Sequence, residues 1–98
     1  MEPKDAYRAA ANAAWSAIAS LKGARPNPIG AGQDLESAAA ILDEIEPPEW
    51  HAEEVSRIHE RLRYEGSFAQ DYKDLARRAP FTARVTSLAE RLERLAGN

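Results

Sequence analysis

The residues best suited to chemistry are His51 and His59, the only two histidines, with Glu54 and Glu60 near them. A metal site on one helix needs ligands three or four residues apart, so that they share a face. Eight residues of α-helix overshoot that face by about 80°, so this pair does not converge on one ion. His51 meets Glu54 at i+3 but Val55 at i+4, and His59 meets only Leu62 and Arg63. Without a convergent carboxylate, neither imidazole is set up as a general base. Both read as surface histidines, and no metal is expected.

Other catalytic patterns are equally thin. The chain has no cysteine, which excludes disulfides, thiolate zinc sites and a cysteine nucleophile. Ser16, Ser20, Ser37, Ser56, Ser67 and Ser87 lack the flanking glycines of a nucleophile elbow. Gly30-Ala31-Gly32 precedes a helix start, where anions can bind, but no Gly-Lys-Ser/Thr follows it. With no strand before it and an acidic helix after it, that segment reads as a flexible loop. No catalytic residue, cofactor or enzymatic activity is expected.

Two binding patterns are better supported. Trp50 stands in a Pro-Pro-Glu-Trp turn, off the apolar stripe that follows it, and Tyr64 flanks the far end of the same segment. Aromatic and arginine side chains are the usual anchors of protein interfaces, so Trp50, Arg57, Arg61, Tyr64, Arg84 and Arg91 are the candidate partner-binding residues. Trp50 has a second reading, as a staple packed under Ile45 at the corner between two helices. The other pattern is a helix-turn-helix: Leu75, Ala76, Ala79, Phe81 and Ala89 loosely fit its apolar spacing. Arg77, Arg78, Arg84, Arg91 and Arg94 are placed to meet phosphates. Pro80 stands at the turn, Thr86 replaces a core aliphatic, and Glu90 and Glu93 would face the DNA.

Positioning these side chains falls to helices. Tyr7, Ala11, Ala14, Ile18 and Leu21 recur at steps of four and three, which predicts a helix from Pro3 to Lys22 ended by Gly23 and Pro26. Trp15 is its large side chain and the expected core anchor. Arg25 to Gly32 predicts a long Pro/Gly loop. Asp34 is then placed to cap a second helix carrying Leu35, Ala38, Leu42 and Ile45, acidic on its outer face and ended by Pro47. Pro48 opens a third helix with the stripe Ala52, Val55, Ile58 and Leu62, running to about Glu65 with Gly66 as a left-handed stop. Ser67 with Gln70 forms a capping box, predicting a fourth helix with Phe68, Tyr72, Leu75 and Ala79 on its buried face. Phe81, Val85, Leu88, Leu92 and Leu95 form the most regular stripe, stopped by Gly97.

No stretch alternates as a strand does, and no repeat is visible. The expected fold is all-α, a compact bundle of four to five short helices in one domain over residues 1–98. Length and composition agree: 98 residues, 44% hydrophobic and 30% charged, suit one globular core. The net charge of -3 is concentrated in residues 1–50 and does not demand nucleic acid. No apolar run spans a bilayer and Met1 to Asp5 is unlike a signal peptide, so the expected address is the cytoplasm, without membrane contact. The bias to alanine, and to arginine over lysine, points to a GC-rich bacterial or phage source. The function expected is a non-catalytic regulator or inhibitor that binds a protein, of the adaptor, antitoxin, immunity or phage-inhibitor kind, as monomer or homodimer. The alternative is a small helix-turn-helix-like DNA-binding regulator.

Overall fold

The apolar spacing of three and four residues builds helices throughout the computed structural model, which describes residues 1–70 and 78–97. Four are present among those residues, and no strand: α1 (Pro3–Ser20), α2 (Pro28–Asp43), α3 (Glu49–Gln70) and α4 (Arg78–Leu95). No described helix is long and apolar enough to cross a membrane.

Helix α1 follows its pattern closely, with Tyr7, Ala11, Ala14, Ile18 and Leu21 all buried. Its alanines let neighbouring backbones approach, so α1 lies against both α2 and α4. Trp15 is not the anchor expected: it is 37% exposed, and its indole N–H donates to Glu93 across the α1–α4 seam. One residue beyond Ala14, it sits about 100° off the buried stripe. Tyr7, 1% exposed, is the large side chain that fills the core instead.

The Pro/Gly segment is shorter as a loop than expected, because α2 begins at Pro28 and contains Gly30 and Gly32. Asn27 is the N-cap, its side chain accepting from the Gly30 N–H at 2.9 Å, with Pro28 in the first helical position. An Asn cap contributes about 1 kcal/mol, and Pro at N1 is preset for helix. Asp34 is therefore interior to α2 and caps nothing. The helix ends at Asp43, leaving Ile45 half-buried beyond it.

Helix α3 runs 22 residues without stopping at Gly66. Gly66 is buried inside the helix because α2 crosses it there: a Cβ on Gly32 would stand 2.8 Å from the Gly66 carbonyl oxygen. The two glycines are a close-approach pair. Ser67 likewise caps nothing, since Phe68 to Gln70 continue α3. Of the expected fourth helix, Tyr72 and Leu75 lie outside the described residues, Phe68 is half-buried, and Ala79 is exposed in the first turn of α4. Ala52, expected in the stripe of α3, is exposed as well, while Val55, Ile58 and Leu62 are buried.

Helix α4 holds Pro80 in its first turn, where no N–H is needed. Phe81, Val85, Leu88 and Leu92 are buried within the single chain, Leu95 is half-buried, and Gly97, with φ +92°, turns the backbone just past the end of the helix. Each fully buried large side chain contributes about 1.5–3 kcal/mol by transfer from water. Helix α3 lies along α2, α2 along α1, and α1 along α4, while the α3–α4 seam is sparsely packed. That open seam positions the candidate site.

Candidate functional site

Trp50, Glu54, Arg57, Arg61 and Tyr64 follow one another along α3 at steps of four, three, four and three. They therefore form one stripe about 21 Å long at 1.5 Å per residue. Trp50 is 81% exposed and Tyr64 57%, with Arg57 and Arg61 exposed between them. Trp50 consequently does not pack under Ile45 as a corner staple. Its only ring neighbour among the described residues is His51, edge-on at 6.0 Å.

Arg84 and Arg91 reach the same region from α4. The lining of the seam is a cleft of about 190 Å³ formed by Arg61, Glu65, Arg84, Ser87, Leu88 and Arg91. Glu65, 1% exposed, is the only buried charged side chain among the described residues. Arg84 clasps it through two parallel contacts, Nε to Oε1 at 2.8 Å and Nη2 to Oε2 at 3.1 Å, while its guanidinium lies 5.4 Å from the Phe68 ring centre. This fork-to-fork geometry satisfies a carboxylate that burial would otherwise penalise heavily. Arg91 holds Glu54 more loosely, through one 3.4 Å contact. Arg57 pairs with Glu53 one turn away at 2.6 Å, and both are exposed, so the pair adds little to stability. Arg61 lies 5.6 Å from the Tyr64 ring centre and meets no carboxylate among the described residues.

Of the six candidate residues, Arg61, Arg84 and Arg91 are brought together in one cleft, while Trp50, Arg57 and Tyr64 continue the α3 stripe on which Arg61 stands, Trp50 at its bundle end. Sequence reasoning missed Glu65, because its side chain is held across the seam by Arg84 of α4. The arginine that holds it lies 19 residues away on another helix, so no local spacing marked the glutamate.

The histidines are brought to two different places. His59 Nε2 lies 2.8 Å from Asp43 Oδ1, off the axis of an aligned hydrogen bond, and Arg63 lies 3.3 Å from the other carboxylate oxygen. The His59 contact, then the Arg63 one, holds the Asp43 carboxyl below its usual range despite partial desolvation. This cluster ties the end of α2 to α3. His51 lines a second cleft, of about 530 Å³, with Tyr7, Pro48, Trp50, Leu95 and Lys4 at the end of the bundle. There the Tyr7 hydroxyl stands 3.4 Å from His51 Nδ1, long for a hydrogen bond. Burial pushes the Tyr7 phenol up from its ordinary value. No group of three or more His, Asp or Glu among the described residues is arranged to hold a metal ion.

No protein-family model matches this chain, and neither a curated protein nor a solved structure resembles it closely enough to count as a match.

Proposed function

We propose that this chain is a non-catalytic helical domain that binds a protein partner, as a regulator or inhibitor acting in the cytoplasm, through the open α3–α4 face. The observation that carries the reading is the exposure of Trp50 (81%) and Tyr64 (57%) on one stripe with Arg57 and Arg61. Leaving a tryptophan in water forgoes a large share of its burial free energy, and such side chains concentrate in interface hot spots with arginine. The other exposed large apolar side chains, Met1, Trp15 and Ile29, lie on other elements, so among the described residues this stripe alone sets two exposed aromatics beside arginines.

Truncating a hot-spot aromatic costs about 2 kcal/mol or more, close to a thirtyfold loss of affinity. The test is affinity capture from the native host after nuclease treatment, comparing the parent chain with Trp50→Ala and Arg61→Glu. A protein retained by the parent and lost with both variants supports the reading. Retention by all three places the contact elsewhere and overturns it. The helix-turn-helix alternative would use Arg78, Arg84, Arg91 and Arg94, with Ala76 and Arg77 of that motif outside the described residues, and Glu65 and Glu54 engage Arg84 and Arg91. It would be favoured only if capture vanished with nuclease and the chain bound duplex DNA with a steep salt dependence.

A further inference from the structure

The geometry points to the α3–α4 cleft as a receptor for an acidic side chain of the partner, a carboxylate inserted between Arg61 and Arg91. This deepens the reading of the face given above and rests on it. The cleft presents three guanidiniums, from Arg61, Arg84 and Arg91, against the one carboxylate of Glu65 in its lining and that of Glu54 at its edge. Glu65 is fully occupied with Arg84 by two short contacts and is buried, so it serves as a fixed floor. Above that floor, Arg91 makes one stretched contact of 3.4 Å with a half-exposed Glu54, and Arg61 lies over the Tyr64 ring and meets no carboxylate among the described residues.

An arriving carboxylate can therefore take two guanidiniums while displacing a single long contact. A volume of about 190 Å³ admits a side chain but not a helix, which makes the occupant a protruding Asp or Glu. Leu88, 4% exposed, closes the apolar side of the cleft, whose polar lining is the three arginines, Ser87 and the Glu65 already held by Arg84. Local charge complementarity selects the sign: with Arg84 paired to Glu65, a basic partner residue would still meet the two cations of Arg61 and Arg91 against the single Glu54 carboxylate. Charge-assisted pairs of this kind are about twice as strong as neutral ones, and planar guanidinium suits a carboxylate.

The test uses the full chain and an acetylated, amidated peptide of alternating glutamate and leucine, followed through the arginine Nε–Hε resonances. Saturable shifts at Arg61 and Arg91, absent at Arg25 and absent with the lysine–leucine counterpart, support the inference. Arg61→Ala and Arg91→Ala, each checked for retained helicity by circular dichroism, should weaken binding about tenfold. Equal shifts at Arg25, or no shift at peptide concentrations up to about 5 mM, well above a weak 1 mM dissociation constant, overturn it. Equal saturation by inorganic phosphate overturns it in favour of a simple anion site, and displacement of the peptide by short duplex DNA overturns it in favour of nucleic acid. If the peptide fails while Trp50→Ala still abolishes partner capture, this inference falls and the reading of the face stands. If Trp50→Ala also leaves capture intact, both fall.

Discussion

Replacing Arg84 by methionine removes the charge that holds Glu65 while keeping an apolar stem against Phe68. The carboxylate left behind is 2% exposed and loses contacts of 2.8 and 3.1 Å. Breaking a fully buried ion pair from one side costs about 3–5 kcal/mol. Arg84 itself is 40% exposed, so water reaches the outer edge of the pair and the cost must be discounted. About 2–3 kcal/mol remains, in line with stranding a charged acceptor. For a domain of this size that lowers Tm by roughly 10–20 °C. The complementary change, Glu65→Leu, leaves a half-exposed arginine that solvent can hydrate, and should cost less. Combining the two should recover most of the loss, because an apolar pair of similar volume often equals or betters the buried ion pair it replaces. Urea unfolding of the parent, both single variants and the double variant closes a thermodynamic cycle, and a coupling of about 1–3 kcal/mol is expected for residues in direct contact. An Arg84→Met variant within about 0.5 kcal/mol of the parent, the range of ordinary surface changes, would refute the reasoning.

The close α2–α3 approach predicts that Gly32→Ala destabilises by about 1–3 kcal/mol, against the roughly 1 kcal/mol alanine gains in helix propensity, because the new methyl would meet backbone at 2.8 Å; urea unfolding measures it, and a stabilised variant would contradict the crossing. Leu92, 0% exposed within one chain, should cost about 2–5 kcal/mol when cut to alanine, with Tm of the parent and of the variant independent of protein concentration; a Tm rising with concentration would indicate a seam between copies. Asp43 is held below its ordinary range by His59 first and Arg63 after it, so between the folded and unfolded values the unfolded chain binds the extra proton. Its contribution is therefore present above the usual carboxylate range and is lost as pH falls through the folded value. Unfolding followed against pH should show a shallower acid limb for Asp43→Asn than for the parent, and identical limbs would contradict the cluster.

Helix faces were legible where large apolar residues repeat, as in Phe81, Val85, Leu88 and Leu92, since burial dominates every competing term there. The misplaced helix boundaries share one origin, the two meanings of glycine and proline. Asn27-Pro28 carries the chemistry of a helix start, yet beside Pro26 and Gly30 it resembles a breaker run. Gly66 has the composition of a helix stop, but only the crossing with Gly32 reveals that its missing side chain serves packing. Trp15 and Trp50 could not be ranked from local spacing, because their exposure depends on which neighbour covers each flank. The exposed aromatic and arginine stripe of α3 was legible residue by residue from the run Trp50 to Tyr64. Its union with Arg84 and Arg91 was not, because it depends on how α3 and α4 meet across a sparse seam.

The most direct test of the face as a partner interface is site-specific photo-crosslinking in the native host. A photoreactive phenylalanine analogue replaces Tyr64, exposed on the stripe, or Ser37, exposed on α2. The proposed interface predicts one discrete protein adduct at position 64 and none at position 37. Adducts of the same protein with equal yield at both positions, or at position 37 alone, would contradict it.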